Sequence, residues 1–284
     1  MRDFYEPAVG GKHKLELVYN NGNITASGVE CLNIPLTLNC GQAFRWSECG
    51  GVWSGVAGGR YLELEQNEHG IVFRNTTAED FCYWRSYFDL DTDYAAMLAP
   101  FERDSVLKTA VRSYYGIRIL RQEPWETLCS FIISANNNIP RIKGIIARLC
   151  ENFGERLNGT AYSFPQPQTL AVLDEQRLAV LRAGFRTKYI IDAARRTASG
   201  ELDLKAVAAM PLSQACEALK TVKGVGDKVA QCTLLYGFNR LEAFPVDVWV
   251  RRVMTQLYPG GLPRCTAGFE GVAQQYLFHY IRQQ

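Results

Sequence analysis

Leu219-Lys-Thr-Val-Lys-Gly-Val-Gly-Asp-Lys-Val-Ala-Gln-Cys232 is the stretch on which the reading of this sequence turns. Apolar spacing predicts two helices around it, over Pro211–Thr221 and Lys228–Tyr236, joined by Lys223-Gly224-Val225-Gly226. Both glycines are free to take positive φ, so the join reads as a tight hairpin. Gly226 and Asp227 then open the second helix, whose first N–H groups lack intrahelical partners and face outward. Such an end binds a phosphate through backbone donors and the helix dipole. A helix–hairpin–helix of this kind grips a nucleic-acid backbone without reading its sequence. A plain pair of antiparallel helices also suits Gly-x-Gly, but the flank of Lys220, Lys223 and Lys228 weighs toward an anionic partner.

Lys228 falls in the first turn of the second helix, where the dipole slightly disfavours a cation. As a nucleophile the same lysine is well placed, because burial and positive surroundings favour a neutral amine. A neutral amine can attack a sugar C1′ and form a Schiff base. Nineteen residues on is Asp247, the one carboxylate of the apolar run Phe244-Pro-Val-Asp-Val-Trp249, at an expected helix start. Asp247 suits an N-cap, worth about 1 kcal/mol. A cap can also present its charge to an oxocarbenium-like centre, so the two roles are compatible.

Charge extends the argument outward from the hairpin. The net charge is only +2 over 284 residues. Residues 1–115, however, hold 10 Lys+Arg against 15 Asp+Glu, and residues 116–284 hold 21 against 14. A net of −5 followed by a net of +7 points the second part at a polyanion. The nine cysteines are odd in number and form no CxxC pair, so they read as reduced, mostly buried thiols. Mean hydropathy is −0.13 and no apolar run approaches the ~18 residues of a membrane span. Asp3 and Glu6 in the first residues, with no apolar run, argue against a signal or transit peptide. A cytoplasmic protein near the nucleoid is expected in a prokaryote, a nuclear one in a eukaryote.

Up to about residue 75 the pattern is short strands and turns. Lys14–Val18, Ile24–Gly28, Tyr61–Glu65 and Ile71–Arg74 alternate, with Val52-Trp53 and Val56 between, and Asn21-Gly22 and Gly50-Gly51 punctuate. Beyond Thr77 the period is helical, over Ala78–Phe88, Ser105–Tyr115, Pro124–Ser134, Arg141–Phe153, Thr169–Leu181 and Thr187–Ser199. Val248–Tyr258 and Phe269–Arg282 follow the hairpin helices. Strands and then helices mean α+β: an N-terminal antiparallel sheet domain with flanking helices over residues 1–118, then a helical core over 119–284 with the hairpin at about 211–236. His13, His69 and His279 lie too far apart for metal-ligand spacing, so no metal site is expected. Only Cys265 follows Asp247, which excludes a four-cysteine iron–sulfur cluster there.

Four segments carry a resemblance. Lys223-Gly-Val-Gly-Asp-Lys-Val-Ala230 followed by Pro245-Val-Asp-Val248 resembles the helix–hairpin–helix DNA glycosylases with a catalytic lysine. Asn39-Cys-Gly-Gln-Ala-Phe-Arg-Trp46 resembles the N-terminal signature of the 8-oxoguanine DNA glycosylases, and Ser134-Ala-Asn-Asn-Asn-Ile-Pro-Arg-Ile-Lys-Gly144 their Asn-rich helix and loop. The motifs run in the family's order from about residue 30 onward. The resemblance implies a two-part helical core with the active site in the cleft between its halves.

By that resemblance Lys228 is the nucleophile and Asp247 the essential carboxylate. Asn136 matches the residue that fills the gap left by an extruded nucleotide, Arg141 and Arg186 those that contact the orphaned base, and Phe185 an aromatic wedge. Cys232 and Phe278 match the faces that sandwich the flipped purine, Gln274 the amide on its Watson–Crick edge, and Gly41 the glycine whose carbonyl faces N7. Gly224 and Gly226 belong to the phosphate-gripping hairpin. Phe185 stands where eukaryotic members usually carry tyrosine, so a hydroxyl contact is lost while the wedge remains, and Trp249 departs from the histidine common at the family's phosphate contact. Ordinary roles also suit these residues: core for Phe278, Cys232, Phe44 and Trp46, a helix-ending turn for Asn136–Asn138, a solvated helix position for Arg141.

The implied partner is duplex DNA containing 8-oxoguanine, bound by a monomer that needs no organic cofactor. Hairpin carbonyls near Lys220, Val222 and Val225 could hold a monovalent cation. 8-Oxoguanine carries a hydrogen on N7 where guanine has a lone pair, so the Gly41 carbonyl accepts from one and repels the other. That difference is worth about 1–3 kcal/mol. Two rivals share part of the pattern. A glycosylase for alkylated bases would typically lack Lys228, and a non-catalytic binding module would not explain Asp247, Asn136 or Gly41.

Overall fold

Alternating apolar and polar residues build a six-stranded antiparallel sheet: β1 Glu16–Asn20, β2 Asn23–Ser27, β3 Trp46–Cys49, β4 Val52–Ala57, β5 Arg60–Asn67 and β6 Gly70–Arg74. The strand order is β1-β2-β6-β5-β4-β3. The computed structural model describes residues 15–157, 159 and 161–282. Asp3, Glu6, His13 and Lys14, used above, lie outside the described residues. Asn21 (φ 49°) and Gly22 (φ 77°) turn β1 into β2, both left-handed as the tight hairpin requires. Ile24, Ala26, Leu62, Leu64, Ile71 and Phe73 form the buried face. Against it lie Ile34 and Leu38 of α1 (Ile34–Asn39), Phe81 and Trp84 of α2 (Ala78–Tyr87), and Trp46 at the start of β3.

The remaining helices are α3 Tyr94–Leu98, α4 Ser105–Ser113, α5 Pro124–Ser134, α6 Ile139–Phe153, α7 Pro167–Ala171, α8 Thr187–Ser199, α9 Leu204–Ala209, α10 Leu212–Lys220, α11 Asp227–Gly237, α12 Val248–Gln256 and α13 Glu270–Arg282. None of the described helices is long and apolar enough to cross a membrane. Helix α5 is central: every residue from Thr127 to Ile133 is buried, so it is enclosed on all sides. It packs on α11, α6 and α8. Truncating Ile132 to alanine would cost about 2–5 kcal/mol. Tyr94, Met97, Leu107 and Ala110 of α3 and α4 share this cluster with Tyr276 and Leu277 of α13, so the polypeptide before α5 feeds both cores.

Two expectations about the fold change. The helix expected over Thr169–Leu181 is broken: α7 ends at Ala171, and a 3₁₀ turn covers Arg177–Leu181. The Asp174 side chain accepts from the Arg177 N–H at 2.8 Å, which starts a new turn instead of continuing the old one. Helices α1, α3 and α9, of 5–6 residues, were not predicted, since they span too few turns for a period to register.

Candidate active site

At the hairpin, Gly224 has φ +80°, and a Cβ there would lie 2.3 Å from Tyr189 Cδ2. This glycine therefore both makes the turn and lets the tyrosine ring lie against it. Gly226 departs from expectation: φ −101° and ψ −175° are extended backbone that any residue adopts. A Cβ on Gly226 would meet nothing within 4 Å, so the surface at the start of α11 is open. Gly226 caps α11 without a side-chain hydrogen bond, which leaves that end available to an anion. The basic flank is less free than expected. Lys220 pairs with Asp227 at 2.8 Å and Glu217 at 2.9 Å, and Lys223 lies 3.8 Å from Asp192. The Val222 carbonyl, one of the three expected at a cation, accepts from the Val225 N–H at 3.1 Å.

Lys228, one residue into α11, is half-buried. Its Nζ donates to Ser134 Oγ at 3.1 Å and sits 4.9 Å from the centre of the Phe131 ring. One helical turn on, burial pushes the Cys232 thiol up to about 11, against the opposing pull of Lys228. Cys232 is therefore a neutral, polarisable wall at ordinary pH. Asp247 is the N-cap of α12: its Oδ1 accepts from the N–H groups of Trp249 at 2.9 Å and Val250 at 2.8 Å. Gln231 Oε1 accepts from the Phe244 N–H at 3.1 Å and ties the segment before Asp247 back to α11.

Six of the expected residues line one narrow cavity of about 50 Å³: Gly41, Lys228, Cys232, Asp247, Gln274 and Phe278. It adjoins a cleft of about 680 Å³ that shares Gly41, Lys228, Asp247 and Phe278 and runs from Asn136 to Trp249 and Arg251. Gln274 is 5% exposed, and its Oε1 is buried without a hydrogen-bond partner, an acceptor left open in the cavity wall. A cavity of about 550 Å³ between the β2–α1 and β5–β6 connections is far larger but contains none of the expected residues.

The other four expected residues assemble beside the cleft. Asn136 is exposed, with a left-handed φ of 49° between α5 and α6. Arg141 is exposed in the first turn of α6, which Asn138 caps. Phe185 is 51% exposed and meets Tyr189 edge-on at 5.9 Å. Arg186, by contrast, is only 3% exposed. Its guanidinium donates to the carbonyls of Ala135, Asn136 and Ala183 and stacks 4.4 Å from the Phe185 ring. Phe44 and Trp46 are core, at 7% and 1% exposed.

Phe131, Ser134, Tyr236 and Gln275 also belong to the site and were not predicted. Phe131 lies within the buried run of α5, where nothing sets it apart. Gln275 did leave a signal, since Gln274-Gln275 is an amide pair flanked by Ala273 and Tyr276 in a buried run of α13.

An antiparallel sheet domain leading into a helical core, with a hairpin, a half-buried lysine and a capping carboxylate at one cleft, is the build of a base-excision DNA repair protein. Residues 24–128 match the model of the 8-oxoguanine DNA glycosylase N-terminal domain, and residues 129–261 that of the HhH-GPD superfamily of base excision DNA repair proteins. The structure titled MBOgg1 in complex with a low-affinity DNA ligand is 38% identical, with a TM-score of 0.89 over 95% of this chain and 99% of that one. Clostridium acetobutylicum 8-oxoguanine glycosylase/lyase, in complex with duplex DNA containing cytosine opposite 8-oxoG, is 35% identical, with a TM-score of 0.88 over 94% and 98%. The N-glycosylase/DNA lyase of Saccharomyces cerevisiae is 38% identical over 187 residues, 61% of this chain but only 50% of the yeast protein. The chain belongs to the 8-oxoguanine DNA glycosylase family.

Proposed function

We propose that this protein excises 8-oxoguanine from duplex DNA, preferring cytosine opposite, and then nicks the strand at the abasic site. The observation that carries the reading is the single cavity holding Lys228 and Asp247 together with Gly41, Cys232, Gln274 and Phe278. Lys228 attacks C1′ of the extruded nucleotide with its lone pair, and the C1′–N9 bond breaks as the base departs with its electron pair and takes up a proton. The Asp247 carboxylate stabilises the positive charge that develops at C1′. The nitrogen then loses a proton, and its lone pair forms C1′=N as the C1′–O4′ bond breaks and O4′ takes up a proton, giving a Schiff base. Loss of the C2′ proton then expels the 3′ phosphate, which is the strand nick.

The flipped base is held between the neutral Cys232 thiol and the Phe278 ring. Its N1–H and N2 amino donors suit the open Gln274 Oε1, and its N7–H suits the Gly41 carbonyl. Asn136 and Phe185 fill the vacated stack, and Arg141 meets the unpaired base. The backbone is gripped by the open N-terminus of α11. Borohydride trapping on a duplex with a single 8-oxoguanine tests the reading: a covalent protein–DNA adduct is expected. Base release without any adduct would replace the lysine route with direct attack by water.

A further inference from the structure

We propose that Gln275, oriented by Tyr236, is a positioning residue for lesion selectivity: it fixes the Gly41 carbonyl so that an N7–H is told from a bare N7. The proposal rests on the reading of Gly41 above. Gln275 is 1% exposed, and its Nε2 donates to the Cys40 carbonyl at 2.9 Å across 235 residues of chain. Its Oε1 meets Tyr236 Oη at 2.5 Å. Only one amide orientation satisfies both partners. A carbonyl can only accept, so Nε2 must face Cys40, Oε1 must face Tyr236, and the tyrosine must donate. Tyr236 is itself fixed by stacking on Phe131, with centroids 5.3 Å apart and planes 17° apart.

On the other side of Gly41 stands Gln42, 0% exposed. Its Nε2 donates to the carbonyls of Thr37 at 3.0 Å and Arg118 at 2.7 Å, and its Oε1 accepts from the Leu120 N–H at 2.9 Å. Its own carbonyl accepts from Gln122 Nε2 at 2.8 Å. Gly41, at φ +86° and without a Cβ, has more backbone freedom than any other residue type would have there. Gln42 removes that freedom on one side and Gln275 on the other. The Gln275 tie comes from α13, the helix that also carries Gln274 and Phe278, so it registers the reading carbonyl against the opposite wall of the same cavity. Discrimination by one hydrogen bond demands such registration, since sites lose function when displaced by more than about 0.5 Å.

The test uses the full chain carrying Lys228→Gln, so that binding is read without turnover, alone and combined with Gln275→Met or Tyr236→Phe. Affinity is measured for three duplexes with 8-oxoguanine, guanine or a tetrahydrofuran abasic analogue opposite cytosine. Gln275→Met is expected to cut the 8-oxoguanine-to-guanine ratio by roughly 5- to 50-fold while affinity for the analogue, which has no base to read, changes less than about twofold. Tyr236→Phe keeps the ring and lets the amide turn, so it should cut the ratio in the same sense and by less. Parallel loss on lesion and analogue, or an unchanged ratio, would make Gln275 structural only. If Gln275→Met does not fold, Tyr236→Phe decides. A parent chain that does not itself prefer 8-oxoguanine over guanine would instead remove the Gly41 reading.

Discussion

Lys228 Nζ stands 3.1 Å from Ser134 Oγ, and the serine's own proton goes to the Phe131 carbonyl 2.8 Å away. With that proton committed, the hydroxyl can only accept from the amine. It aims one N–H of the lysine. Helix α5 thus holds Lys228 from its last turn, and the Asn136 loop begins two residues later.

Lys228→Gln is expected to bind lesion duplex but to release no base and form no borohydride-trapped adduct. Glutamine keeps length and hydrogen bonding while removing the nucleophilic amine. Robust trapping by this variant would move the nucleophile elsewhere, with Lys223 the first to test.

Asp247→Asn separates the two roles of this residue. Asparagine caps a helix as well as aspartate, and its Oδ1 can keep the bonds to Trp249 and Val250, so Tm should hardly move. The single-turnover rate should fall at least ~10²-fold for want of a charge beside the forming cation. Asp247→Ala should lose the rate and also about 1 kcal/mol of stability. An unchanged rate in the asparagine variant would leave Asp247 as a cap alone.

Arg141→Ala should keep excision opposite cytosine within several-fold and gain relative activity opposite adenine, thymine and guanine. Cytosine presents O2 and N3 to the donor fork of an arginine, a preference of about 1–3 kcal/mol. Single-turnover excision on four duplexes differing only in the opposite base reads this directly. Equal loss on all four would reduce Arg141 to a phosphate contact.

His279 gives the fold a pH sensitivity of known sign. Its ring packs edge-on to Tyr114 at 4.5 Å and its Nδ1 is buried without a partner. Burial first, and Arg282 second, lower its pKa below the unfolded value. Its contribution is therefore present above about pH 6.5 and lost as pH falls through the folded value. Between about pH 7.5 and 5.5 the wild-type Tm should drop further than that of His279→Gln. Equal drops would place the acid sensitivity on other groups.

The chemistry was legible wherever it sits in short, local motifs. The hairpin glycines with Lys228, the apolar run around Asp247 and the Asn-rich loop each announce themselves within about a dozen residues. What joins them was not legible. The bond from Gln275 to the Cys40 carbonyl spans 235 positions, and no local pattern encodes it. Composition was misleading at the hairpin too, where Lys220 and Lys223 are turned to Asp227 and Asp192. Arg186 resembles an arginine that contacts the orphaned base, and no local pattern tells that its donors also meet the carbonyls of Ala135, Asn136 and Ala183.

That cluster has a kinetic consequence. Arg186 ties the Asn136 turn to the Phe185 ring, Phe185 leans on Tyr189, and Tyr189 lies in the space left by Gly224. These contacts link the parts that would enter the duplex to the hairpin that would ride its backbone. A protein searching long tracts of intact DNA must test pair after pair. Each freely rotating probe side chain would forfeit about 0.5–1.5 kcal/mol of entropy at every trial. Phe185, already resting on Arg186 and Tyr189 in the folded chain, would forfeit less at each trial.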